Sequence, residues 1–211
     1  MFATPTLLTM PAITPQTAIE ADLHRVLPDP AIRAALVAMC PACSYTWWYT
    51  AFRPHMLQSV FVPPTPIADQ PKKFAHAVLT GRKNGAHALD LALLALNGCW
   101  CAREAGQPHE RWLELAGGEL ERALRDKNWQ GNRDYYQYLL GELCRQSGDF
   151  QGAVNHFNQV GPSSMLPPEL VERQKVQATS GDQAPAALPE HLVELLFCVK
   201  GKPEESVLPQ E

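Results

Sequence analysis

The positions of the prolines constrain the fold more than any other feature of the sequence. The chain of 211 residues contains 19 prolines, yet Pro108 is the only one between Pro71 and Pro162. Proline interrupts a helix because it lacks the amide donor and clashes with the preceding turn. The long central stretch therefore predicts a run of helices, and the proline-rich flanks predict irregular chain.

Apolar residues recur at helical spacing through this central stretch. Residues 86–106 are apolar on most sides, which predicts a central, buried helix. Residues 108–127 carry one apolar stripe, which predicts a helix packed on one face. The full set of expected helices covers 72–83, 86–106, 108–127, 133–148, 149–160, 167–178 and 189–200, with a short helix at 17–27.

Composition divides the chain into four parts. The segment 30–43 predicts a helical turn or a strand, and the aromatic, β-branched segment 44–52 favours a strand or hairpin. The parts are an irregular N-terminal region (1–70), a helical domain (71–178), a Ser/Gly/Ala/Pro linker (179–188), and a C-terminal amphipathic helix with a polar tail (189–211).

The segment from Leu139 to Pro162 predicts two short helices joined by a Gly-Asp corner. Gly148 suits the left-handed position that ends a helix, and Asp149 can cap the next one. Gly141 and Ala153 are small enough for two helices to cross closely, and Phe157 would fill the space between them.

This small–small–aromatic spacing resembles the tetratricopeptide repeat. A looser copy lies upstream, with Leu96 and Gly98 in one helix, a break at Gly106, and Ala116 in the next. The residues predict an all-α, tetratricopeptide-like antiparallel helical array, and an ordinary antiparallel bundle with the same core is the alternative.

A wider resemblance covers residues 36–178. The "CPAC" motif followed by aromatic residues, the "AFRPH" stretch and "YLLGELCRQSGDFQGAVNHFNQV" are similar to the bacterial family called domain of unknown function 2225. Membership would imply a zinc-ribbon-like cysteine region before a tetratricopeptide-like region. Members commonly carry two Cys-x-x-Cys pairs, whereas this sequence has one, and the family implies no activity.

Cys40 and Cys43 form that single pair, in a small knuckle ahead of the helices. This spacing lets two thiolates hold one metal ion, but a structural zinc needs four ligands. Three interpretations stay open: a degenerate ribbon without metal; one zinc ion completed by His55, another histidine or a second chain; and a thiol redox pair. The Cys99-x-Cys101 pair is a poor second half, because residues two apart on a helix point about 200° apart.

Four residues of the expected helix 133–148 share one face: Tyr135, Tyr138, Glu142 and Arg145. In a tetratricopeptide array this face would line the groove that binds partner peptides, and tyrosines suit such recognition. The alternative is that the two tyrosines pack under the N-terminal region or the C-terminal helix.

Charge and motifs exclude several function classes. The net charge is −4 and no basic run occurs, so nucleic-acid binding is not expected. No secretory signal or membrane span is recognisable, which predicts a cytoplasmic protein, and the sequence has no phosphate-binding or nucleophile motif. We therefore expect a non-enzymatic protein–protein interaction adaptor that binds a protein or peptide segment and forms a homo-oligomer if its repeats need a neighbour. A zinc-binding or thiol redox protein is the alternative.

Overall fold

The computed structural model describes residues 18–40, 45–51, 70–127, 131–162 and 165–197, and these are mostly helical. The prediction of an all-α fold is confirmed, while the tetratricopeptide-like arrangement stays a prediction. The elements are α1 (Pro30–Ala34), β1 (Val37–Met39), β2 (Thr46–Trp48), a 3₁₀ turn (Tyr49–Ala51), α2 (Gln70–Lys83), α3 (Ala88–Glu104), α4 (Glu110–Leu124), α5 (Arg133–Ser147), α6 (Phe150–Phe157), α7 (Pro168–Thr179) and α8 (Glu190–Phe197).

The N-terminal elements form a small layer on the helices. Asp29 begins α1 because its carboxylate accepts the Ala31 amide at 2.8 Å. The strands β1 and β2 pair in antiparallel fashion, with Ala38 opposite Trp47. Both strands and α1 pack against α2. Of the strand or hairpin predicted for 44–52, the structure forms a strand at Thr46–Trp48 that pairs with β1, and this layer shares a core with the helices.

The predicted helix at 17–27 is wrong over its described residues. Ile19 pairs with Arg25 in an antiparallel bridge, and Leu23 has φ +59°, so the chain reverses in a tight turn. The apolar residues do recur at helical spacing. The acidic side chain of Asp22 is nevertheless buried against α3, so contacts with residues distant in sequence determine the backbone conformation of this segment.

From α2 to α7 each helix packs against the next helix along the chain. One apolar core lies among α2, α3, α4 and α5, and a second lies among α5, α6, α7, α8 and the segment 18–27. Residues of α5, including Tyr135 and Cys144, contact both cores. Helix α5 is therefore the wall between the two halves of the described protein.

Close contact between α5 and α6 depends on a missing side chain. A Cβ atom placed on Gly141 would lie 2.6 Å from the Phe157 ring, and both Phe157 and Ala153 are fully buried. The expected crossing of the two helices is confirmed. A similar contact occurs upstream, where a Cβ atom on Gly98 of α3 would lie 2.4 Å from the Trp112 ring of α4.

The corner between α5 and α6 has the predicted caps. Gly148 adopts the left-handed conformation with φ +89°. The Asp149 amide donates to the Cys144 carbonyl at 2.9 Å, and the Asp149 carboxylate accepts the Gly152 amide at 2.9 Å. These bonds satisfy backbone groups that a helix end leaves unpaired, so the corner is specified locally.

The predicted linker 179–188 is instead bonded to the helical body over most of its length. The chain turns at Gly181, whose φ is +76°. The Ala21 amide then donates to the Ala186 carbonyl at 2.8 Å, and the Leu188 amide donates to the Ile19 carbonyl at 2.7 Å. Helix α8 follows and buries Leu192 in the second core. The Ser, Gly, Ala and Pro content of this segment predicted a linker, because composition carries no information about hydrogen bonds to residues distant in sequence.

Candidate functional site

The face of α5 that the sequence assigned to a partner is covered by the chain itself. Tyr138, Glu142 and Arg145 are each 0% exposed, and Tyr135 is half-buried. The expectation that these residues line an open groove is therefore wrong for the conformation described. The alternative, in which the tyrosines pack beneath other parts of the chain, agrees with the structure.

Two segments, 18–27 and 182–188, provide the cover, and α5 contacts them through their main chain. The Tyr138 hydroxyl donates to the Ala21 carbonyl at 2.6 Å. The Arg145 Nη1 atom donates to the carbonyls of Asp182 and Ala184 at 2.7 and 3.0 Å. Every acceptor is a carbonyl oxygen, a group that all residues carry. The α5 face therefore holds these two segments by their backbone.

Arg145 is itself fixed by a neighbour on the same helix. Its Nε and Nη2 atoms donate to the two carboxylate oxygens of Glu142 at 3.0 and 2.9 Å. Burial acts to lower the pKa of Arg145, but the bonds with Glu142 outweigh it and raise the pKa above its usual value. The guanidinium therefore stays charged, and its Nη1 donors point to the segment 182–188.

The apolar part of the same face is also filled. The rings of Tyr138 and Phe157 lie with their centroids 5.6 Å apart, and Ile19 and Leu188 pack in the same core. Burial raises the pKa of Tyr138 well above its usual value, so its hydroxyl remains a donor at neutral pH. Gln183 also contacts Gly148, where a Cβ atom would lie 2.5 Å from its side-chain nitrogen.

A buried cluster of charges, which we call the ionic cluster, fixes the segment 18–27 to α3. It comprises Glu20, Asp22, His24, Arg33, Arg103 and Glu104. Arg103 forms ion pairs with both Glu20 and Asp22, the second at 2.5 Å. The ring nitrogens of His24 contact Glu20 at 2.5 Å and Glu104 at 2.9 Å.

The other members of the ionic cluster complete the hydrogen bonds of its carboxylates. Arg33 contacts the two oxygens of Glu104 at 2.9 and 3.0 Å, and the Leu27 amide donates to Glu104 at 3.1 Å. The Trp100 indole donates to Asp22 at 3.1 Å. Burial acts to raise the pKa of Asp22, but Arg103 and His24 lower it below its usual value. Burial also acts to raise the pKa of Glu104, but His24 and Arg33 lower it below its usual value.

The ionic cluster is a structural contact rather than a metal site. Ligand atoms of Glu20, Asp22 and His24 lie within 4.8 Å of one another, as a metal would require. The guanidinium of Arg103 already contacts both carboxylates, however, and both ring nitrogens of His24 are engaged. A protein cation thus takes the position that a metal ion would need.

The expected metal ligands are placed only in part. Cys40 follows β1, is half-buried, and its amide donates to the Tyr45 carbonyl at 2.8 Å. Cys43 and His55 lie outside the described residues. Burial raises the pKa of Cys99 and of Cys101 to about 12 and that of Cys144 to about 11, so these thiols are poor nucleophiles.

The ionic cluster was not predicted from the sequence. Its only local signal is the adjacent pair Arg103 and Glu104, which ends an otherwise apolar helix. Lys and Arg side chains are rarely buried unless paired, so a charged pair on a buried helix predicts partners from elsewhere in the chain. The partners lie in a segment about 80 residues upstream, as the separation of 81 between Asp22 and Arg103 shows.

Comparisons with known proteins add no assignment. No family model, no curated protein and no solved structure matches this chain. The resemblance to the domain of unknown function 2225 family therefore stays a prediction. Across the described residues, every helix is too short or too polar to traverse a bilayer.

Proposed function

We propose that the protein is a non-enzymatic adaptor whose helical array binds an extended polypeptide segment of a partner on the α5 face. The observation that carries the proposal is the contact between this face and main-chain carbonyls. Arg145 contacts the carbonyls of Asp182 and Ala184, and Tyr138 contacts the carbonyl of Ala21, the residue whose amide pairs with Ala186. In this conformation residues 182–188 of the chain supply that polypeptide, and a partner segment would take their place beside residues 19–21.

Strand pairing supports the same proposal. The amide of Ala21 and the carbonyl of Ile19 pair with Ala186 and Leu188, as adjacent strands do. Peptide recognition by strand addition uses such an edge, with main-chain bonds giving affinity and apolar pockets giving specificity. The pocket in this case is the second apolar core, which holds Leu188.

The experiment selects binders from a library of 12-residue peptides on the full chain. A selected peptide carrying a photoreactive group should cross-link to residues 135–146 and 19–21. Its N-methylated analogue has the same side chains but lacks amide donors for strand pairing. We expect the analogue to bind at least tenfold more weakly, measured by fluorescence anisotropy, which corresponds to about 1.4 kcal/mol.

The two readouts together decide the proposal. Peptides that bind equally well after N-methylation, and that cross-link only outside these residues, would show that the α5 face is not the recognition surface. The N-methylated peptide is the matched control, because any loss of binding then arises from the main chain.

A further inference from the structure

The two segments that cover α5 are attached to the body by different kinds of contact. The segment 18–27 is attached through the ionic cluster, in which Asp22 and His24 are almost fully buried. Its reversed turn also closes on itself, since the Glu20 amide donates to the His24 carbonyl and the Val26 amide donates to the Ala18 carbonyl, both at 2.9 Å.

The second segment has no charge pair of comparable burial among the contacts described. Residues 182–197, which we call the strap, bind through the carbonyls that Arg145 contacts and through the two main-chain bonds to residues 19–21. The side-chain contact of α8 between His191 and Glu169, at 3.0 Å, is exposed. Its apolar anchors are Leu188 and Leu192.

The strap also begins at a suitable pivot. Helix α7 ends at Thr179, and Gly181 follows in the left-handed conformation at an exposed position. A rotation of the chain at this glycine would move the strap away as a unit. It would uncover the Arg145 guanidinium, the Ala21 amide and the Ile19 carbonyl, while the ionic cluster remained intact.

We propose that the strap is a releasable intramolecular competitor that opens by local unfolding and frees the α5 face for an extended segment of another polypeptide. The proposal rests on the proposed function for the identity of the occupant. The occupant has the chemistry of the strap itself: two main-chain carbonyls for Arg145, followed by a short extended stretch that pairs with residues 19–21 and ends in an apolar anchor such as Leu188. Local opening of this kind requires less free energy than global unfolding.

Amide hydrogen exchange of the full wild-type chain tests the opening. Release of the strap breaks the bonds of the Ala21 and Leu188 amides and leaves those of Glu20 and Val26 in place. We expect Ala21 and Leu188 to exchange together, at least tenfold faster than Glu20 and Val26. Equal protection of all four amides would contradict local opening of the strap, because these amides would then exchange only through global unfolding.

A pair of variants on α8 provides the matched comparison. Leu192→Ser removes a fully buried anchor, whereas Leu195→Ser changes a leucine of the same helix that is 60% exposed. We expect Leu192→Ser to accelerate exchange at Ala21 and Leu188 at least 100-fold and to leave Glu20 and Val26 unchanged. Leu195→Ser should behave like wild type; equal effects of the two variants would contradict the proposal.

Binding in trans separates this inference from the proposed function. The probe is a synthetic peptide of residues 180–197 of this chain. It should bind the Leu192→Ser protein at least tenfold more tightly than the wild type or Leu195→Ser. If Ala21 and Leu188 exchange fast but the peptide does not bind, the strap opens locally, and the α5 face is not a polypeptide-binding site. Selected peptides that bind wild type while all four amides stay equally protected would support the site and overturn the strap.

Discussion

At the scale of single residues, the fold depends on positions where a side chain is absent. Gly141 and Gly98 each face an aromatic ring on the following helix. Neither glycine has a positive φ, so the requirement is space rather than backbone conformation. By contrast, Gly118 of α4 is exposed, and a Cβ atom placed on it would meet no side chain or neighbouring element within 4 Å. Glycines of the same helical array therefore differ in what they contribute.

Gly141→Ala should destabilise the protein. Its Cβ atom would lie 2.6 Å from the Phe157 ring, which is fully buried, so the ring or the helix must shift. We expect a loss of about 1–3 kcal/mol in the free energy of unfolding, measured by urea denaturation. Gly118→Ala is the control and should stabilise by about 0.5–1 kcal/mol, because alanine favours a helix. An equal gain for both variants would show that α5 and α6 do not touch at this point.

At the scale of elements, sequence predicted those whose signals are local. Helices α2 to α7 and the Gly148–Asp149 corner follow from apolar spacing and capping residues within each segment. The turn at 18–27 and the path of 182–188 depend on Arg103, Glu104 and Arg145, which lie far away in sequence. The same distinction applies to the candidate site. The spacing in the sequence placed Tyr138, Glu142 and Arg145 on one face of α5, but only the three-dimensional contacts show that this face is covered by the chain itself.

The ionic cluster makes the attachment of 18–27 dependent on pH. Asp22 and Glu104 have lowered pKa values in the folded protein, so folding releases protons from them. Their stabilisation is complete above the unfolded pKa of about 4 and is lost as the pH falls toward the folded values. We expect the free energy of unfolding of the wild type to fall steeply below about pH 4.

Asp22→Asn isolates one member of the ionic cluster. At pH 7 the variant should be less stable by about 3 kcal/mol, because Arg103 loses a buried partner. The difference in stability from wild type should shrink as the pH falls below about 4, because the unfolded wild type then binds a proton at Asp22 that the folded protein, with its lowered pKa, does not. Glu121→Gln, at the exposed pair with Arg125, is the control and should cost about 0–1 kcal/mol. If the difference in free energy of unfolding between Asp22→Asn and wild type did not change with pH, Asp22 would not be stabilised by ion pairs.

At the scale of the whole molecule, the described N-terminal residues belong to the same folding unit as the helices. Val37 and Trp47 pack in the first core, and Ile19 and Ala21 pack in the second. The predicted boundary at residue 70 coincides with the start of α2 but separates residues that share a core. Proline content marks where helices stop, and it does not report whether the irregular chain is packed on them.

A fragment of residues 70–197 should therefore fail to fold as a stable unit. Removal of the upstream chain exposes the α2 face under β1 and β2 and leaves Arg103 and Glu104 without their partners. We expect the full chain to show a cooperative thermal transition by circular dichroism and the fragment to show none. A fragment that melts cooperatively at the temperature of the full chain would demonstrate an autonomous helical domain.

The contact of Arg145 with carbonyl oxygens has an evolutionary consequence. Ala184 is exposed, and only its main chain is bonded to the guanidinium. A substitution at this position leaves the acceptor unchanged, whereas any replacement of Arg145 removes donors to two carbonyls and to Glu142. Selection for this contact therefore acts on one partner only, and related sequences would share the arginine while diverging at the residues it holds.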